Sequence, residues 1–247
     1  MDPTLLITFF LGLVPTFFFV ATGGAGLITT PSLIMMGLSP QAAIATDLFA
    51  MFGGRLGGLI GLRNFPGANS RLSWGLASTA ALGALGGTVI LISVDESIMK
   101  KMLGIFLLLI LTVILFRPEI GVDSRQPSKA RRYLGYLVFY LVGTWGGFVG
   151  AGFATLGSTS LLLIFRKTFI ESATVMMVVG LAVGFVTFLA FWSQQLIDWP
   201  IGISLLLGKS IGGYLGARFA LKLGDKWIRG GFILIVLTAS VMLLTTG

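Results

Sequence analysis

A chain of 247 residues that is 55% hydrophobic and only 11% charged departs from the roughly 25% charged residues of ordinary soluble domains, and a water-soluble fold is excluded. The formal net charge of +8 would suit nucleic acid, but the basic residues lie largely in short segments between apolar runs. That is the pattern membrane topology imposes, so the expected partner is a lipid bilayer and no nucleic acid. Cysteine and histidine are both absent, which removes thiol chemistry, disulfides, histidine metal sites and imidazole proton relays; no cofactor and no metal are expected.

The apolar runs predict an all-α, polytopic membrane protein. Residues 5–20 lack a basic n-region and lead straight into the architecture that follows, so they read as mature structure and not as a leader. Residues 5–37 are too few for two full crossings, which need about 40 residues. They suit two short helices meeting at Thr22-Gly23-Gly24-Ala25-Gly26, a re-entrant-like hairpin. Ordinary spans are predicted at 43–62, 72–93 and 101–117. A polar stretch with Pro118, Asp123, Pro127 and Ser128 follows. The pattern then repeats: a broken segment at 133–165 around Gly146-Gly147 and Gly150-Ala151-Gly152, and spans at 172–192, 197–217 and 230–245.

The chain aligns with itself at an offset of about 126 to 129 residues. Gly24-Ala25-Gly26 falls on Gly150-Ala151-Gly152, Leu72-Ser73-Trp74 on Ile197-Asp198-Trp199, and the run 83–87 on 212–216. The domain reading is a first transmembrane repeat over 1–117, a cytoplasmic linker over 118–132 and a second repeat over 133–247. Equivalent loops carry opposite charge bias. Arg63 and Arg71 correspond to a loop with only Asp198, whereas the loop with Asp95, Glu96, Lys100 and Lys101 corresponds to one with Arg218, Lys222, Asp225, Lys226 and Arg229. Putting the linker in the cytoplasm places nearly all basic loop residues there, with both termini outside. This is the inverted-topology repeat of many secondary transporters, whose substrate site sits near mid-membrane.

The run Gly23-Gly24-Ala25-Gly26-Leu27-Ile28-Thr29-Thr30-Pro31, followed by Gly37-Leu38-Ser39-Pro40-Gln41-Ala42-Ala43-Ile44-Ala45-Thr46, resembles the TauE/SafE-type sulfite exporter family. So does the order of Trp74, the glycine-rich span and its mirror after Trp199. The resemblance implies a multi-pass permease of a prokaryotic inner membrane, a probable-exporter type whose substrate is sulfite, an organosulfonate or a related sulfur oxyanion. Two departures stand out. The second hairpin lacks the further glycines and the proline usual there, and Asp47 follows Thr46 where a small hydroxyl residue is more usual.

A short helix that starts at mid-membrane leaves amide N–H groups and a partial positive charge at its N-terminus, which is where an anion fits. The candidate substrate-binding residues are Thr22, Gly23, Gly24, Ala25, Gly26 and Thr29 in the first hairpin. In the second they are Gly150, Ala151, Gly152, Phe153 and Thr155. Packing of small residues is the competing account and the favoured one for Gly53, Gly54, Gly57, Gly58, Gly61, Gly83, Gly86 and Gly87.

Charges inside spans are costly, which adds Arg55 and Lys209. Arg55, about 12 Å of helical rise from Arg63, either snorkels or faces a water-filled path; Lys209 pairs with the anion or with an acid. Asp47 and Glu171, near span starts, are either helix N-terminal carboxylates or proton-coupling groups. Trp145, beside the second break, is a candidate lining residue. A passive anion channel is the alternative to a transporter. An intramembrane enzyme finds no clustered carboxylates or nucleophile–base pair in the sequence, and homo-oligomerisation is left open.

Overall fold

In the computed structural model, the described residues are 2–20, 24–62, 71–95, 98–99 and 128–223. Among them all regular structure is helical: α1 (Pro3–Phe19), α2 (Gly26–Met35), α3 (Pro40–Gly61), α4 (Arg71–Ser93), α5 (Lys129–Phe148), α6 (Phe153–Ile164), α7 (Phe169–Ser193) and α8 (Trp199–Leu223). The spans expected at 101–117 and 230–245, most of the linker, and Thr22 and Gly23 lie outside the described residues.

Local sequence explains most of the helix starts. Asp2 accepts the Thr4 N–H (3.0 Å) ahead of Pro3, and Ser39 accepts the Ala42 N–H (3.3 Å) ahead of Pro40; proline at the first helical position gives up no bond. Ser128 caps α5 at Arg131, so Lys129 to Arg132, expected as linker, form the first turn of a helix. Thr168 and Glu171 make a reciprocal capping box on α7. Asp198 Oδ1 accepts the Ile201 N–H (3.1 Å) at the start of α8. Among the described residues three helices, Pro40–Gly61, Arg71–Ser93 and Glu171–Ser193 within α7, are long and apolar enough to cross a membrane.

Both broken segments are helix–break–helix, but their arms differ. α1 and α2 have 17 and 10 residues, about 25 and 15 Å of rise. α5 and α6 have 20 and 12, about 30 and 18 Å. The first arm of the second hairpin therefore matches a hydrocarbon core of about 30 Å, where two short arms were expected. Its break comes at residues 149–152. Gly146 and Gly147, expected at the break, lie inside α5; the absence of a side chain on Gly147 lets the backbone approach the Ala84 carbonyl of α4.

Helices from either side of residues 101–127 pack together. α1 runs along α8 and α5 runs along α4, while α3 packs on both α8 and α7, and α7 on α4. Glycine makes the close approaches of α8 to α1, α4 to α5 and α3 to α8. A Cβ at Gly208, Gly212 or Gly216 of α8 would run into backbone carbonyls of Phe9, Leu13 and Phe17 on α1. Gly83 and Gly87 of α4 meet Tyr140 and Thr144 on α5 in the same way, and Gly53, Gly57 and Gly61 of α3 meet α8. Gly86, expected to serve packing, has nothing within 4 Å of an added Cβ. Beside its glycine face, α8 turns Ile203, Leu207, Ile211, Leu215 and Phe219 outward. That exposed apolar stripe, repeating every fourth residue, suits lipid and not water.

Candidate anion site at the hairpin tips

The breaks bring two glycine-rich tips into contact at the centre of the described core. A Cβ built on Gly26 would lie 3.4 Å from Ala151 Cα and 3.4 Å from Asp47 Oδ2, so the first tip stands in van der Waals reach of both. Ala25, Ala151, Leu48 and Phe148 belong to one buried cluster around this contact. Gly150 (φ +73°) and Gly152 (φ +74°) take left-handed conformations that cost other residues energy. Trp145 braces the second tip by donating its indole N–H to the Ala151 carbonyl (2.9 Å); it supports the tip from outside the cavity described below. No side chain caps α2 or α6. In α2, however, Leu27 and Ile28 donate to the Gly24 and Ala25 carbonyls (3.0 and 3.1 Å), so these two amides of the first turn are used within the tip.

Two cations are buried beside the tips. Lys209, wholly buried on α8, donates to Asp47 Oδ1 (2.7 Å) and to Thr29 Oγ1 (3.3 Å). Thr29 in turn donates to the Ala25 carbonyl (3.1 Å), so α2, α3 and α8 are joined through one ion pair. Asp47 is the eighth residue of α3 and 4% exposed, two turns inside the helix and not at its N-terminus. Of the two partners expected for Lys209, the structure supplies the acid.

Arg55 lies about 12 Å further along α3. It does not snorkel: it is 9% exposed, donates to the Gly180 carbonyl and stands over the Phe153 ring with 5.5 Å from Cζ to the centroid. Gly180 and Gly184 of α7 leave the space it fills, since a Cβ on either would press on the side chain. Around it is a cavity of about 40 Å³ lined by Thr16, Ala25, Arg55, Gly150, Phe153 and Ala154 among others. Thr16 is 3% exposed, and its hydroxyl has no hydrogen-bond partner among the described residues. Buried hydroxyls in that condition are uncommon and call for a ligand or water.

The family model described as "Sulfite exporter TauE/SafE" matches residues 8–243. The chain belongs to that family.

Its TauE/SafE relatives include a "Probable membrane transporter protein" of Haemophilus influenzae, 30% identical over 91% of this chain and 88% of the relative. YfcA of Escherichia coli K12, with the same description, is 26% identical over 99% and 91%. YdhB of Bacillus subtilis, again a probable membrane transporter protein, is 22% identical over 97% and 98%. No solved structure matches the chain. Together with the apolar helices, family membership makes this a membrane protein of a transporter family.

Within this TauE/SafE chain, the structure gathers Ala25, Gly26, Thr29, Asp47, Gly150, Ala151, Phe153, Arg55 and Lys209 around the two tips. Thr155, in the first turn of α6, is wholly buried, and Gly24 and Gly152 flank the breaks. Glu171 is elsewhere in character. It caps α7, pairs with Lys167 (3.1 Å) and is about one-third exposed, whereas Asp47 is buried. Sequence reasoning missed Thr16, Met51, Ala173 and Met176 in the cavity wall. One signal was present for Thr16: Thr8, Gly12 and Thr16 recur every fourth residue on an otherwise apolar helix, and all three are buried.

Proposed function

We propose that the protein transports a small sulfur-containing anion, such as sulfite or an organosulfonate, across the cell membrane, and that the anion sits at the second hairpin tip against Arg55. The cavity beside Arg55 is the observation that carries this reading. It joins a buried guanidinium, an unpartnered hydroxyl and the uncapped start of α6. A guanidinium recognises planar or trigonal oxyanions through paired donors. The cavity's 40 Å³ is a few times the roughly 10–15 Å³ that one water needs, which favours a compact oxyanion such as sulfite. An organosulfonate would need the cavity to widen. Outward transport is the direction we favour, because the family's description is that of an exporter.

In this reading the two halves are inverted repeats with both termini outside, and relative movement about the touching tips exposes the cavity to each side in turn. Purified protein in proteoliposomes loaded with sulfite, thiosulfate or a series of sulfonates tests it. Saturable flux of at least one sulfur anion, reduced in Arg55→Gln, is the expected result. Absence of flux across the panel overturns the transporter reading, and unsaturated single-channel current replaces it with a passive pore.

A further inference from the structure

The two tips are alike in backbone and unlike in charge. At the offset that lays Gly24-Ala25-Gly26 on Gly150-Ala151-Gly152, Asp47 falls on Ala173, Arg55 on Leu181 and Thr29 on Thr155. Ala173 lines the open cavity at the second tip. Asp47 stands in the corresponding place at the first, with Oδ2 at van der Waals distance from the position a Gly26 Cβ would occupy and Oδ1 on Lys209. Lys209 also holds Thr29, in the first turn of α2. The first tip therefore has a cation, a hydroxyl and a helix start grouped around a carboxylate. The second has a cation, a hydroxyl and a helix start grouped around a cavity. Among the described residues Arg55 has no carboxylate partner, while Lys209 has one.

We infer that Asp47 is a built-in counter-anion: its carboxylate fills, at the first tip, the seat that the second tip leaves open for a transported oxyanion. Each chain then carries a single exchangeable anion, and the aspartate is what denies substrate the first seat. The inference rests on reading the second tip as an anion seat, but its test does not require transport.

The test is chemical rescue in the purified full-length protein. Asp47→Ala empties the seat and leaves Lys209 buried without its acid, so the thermal midpoint in detergent falls by several degrees. Sodium formate, compared with sodium gluconate at equal ionic strength, is expected to recover at least half of that fall in Asp47→Ala. It should leave the wild type and Asp47→Ala/Lys209→Met unmoved. Labelled sulfite should bind once per chain in the wild type and twice in Asp47→Ala. No formate-specific recovery, or equal recovery in the double variant, overturns the inference.

Should Asp47→Ala yield no folded protein, two further variants ask the same question. Asp47→Ala/Gly26→Asp returns a carboxylate to the seat, and Asp47→Ala/Gly26→Asn returns only its volume. Recovery of monodisperse protein by the aspartate variant alone supports the inference; recovery by both or by neither overturns it. Intact rescue together with absent sulfite flux would overturn the transport reading and leave this one standing.

Discussion

At the scale of single residues, burial has separated groups that look equivalent in the sequence. Arg55 and Lys209 are both cations inside apolar helices, yet one is neutralised by Asp47 and the other faces a cavity. Arg55→Gln is expected to weaken sulfite binding at least about ten-fold, because charge-assisted hydrogen bonds contribute roughly 1.5–3 kcal/mol; equilibrium binding of labelled sulfite measures it. Thr16→Val keeps the shape and removes only the unpartnered hydroxyl. Binding should fall roughly two- to ten-fold, in line with an ordinary hydrogen bond, while the thermal midpoint stays put or rises. Glu171→Gln weakens a half-exposed pair and a cap, with a stability cost below about 1 kcal/mol and unchanged flux; a loss of flux would return Glu171 to a coupling role. The charged members of the site were legible because charges within spans are expensive. Their partners were not, since which acid Lys209 meets depends on α8 crossing α3 some 160 residues away in sequence.

At the scale of helices, the legible features were the breaks, the apolar runs and most starts, all of which are written in local chemistry. The arms of the second hairpin were misjudged because Gly146-Gly147 reads as a break. In the structure these glycines let α5 pass close to α4, so a tertiary contact explains what local sequence suggested was a turn. The difference between packing glycines and idle ones is testable within a single turn of α4. Gly83→Val puts a branched side chain against the Tyr140 carbonyl and should sharply reduce the monodisperse fraction on size-exclusion chromatography. Gly86→Ala meets nothing within 4 Å and replaces the weaker helix former, so folded yield should hold or increase.

For the whole molecule, the exchange of α1 onto α8 and of α5 onto α4 means that the glycine faces of α8 and α4 are covered by helices from the other half of the chain. Chains 1–127 and 128–247 expressed together should assemble into one complex that co-purifies, whereas either alone should be degraded; stable isolated halves would contradict the exchange. The self-alignment did not anticipate this interlocking, because a repeat offset says which segments are alike and nothing about which ones touch. The same exchange has a consequence for biosynthesis. About 180 residues separate the end of α1 from the start of α8, and at ribosomal rates of roughly 5–20 residues per second the first helix waits on the order of 10–40 s for its companion to be made. Throughout that interval it must be parked in lipid or against the insertion machinery, glycine-binding face unoccupied, which makes the nascent chain most vulnerable to quality-control proteases before its last helices are complete.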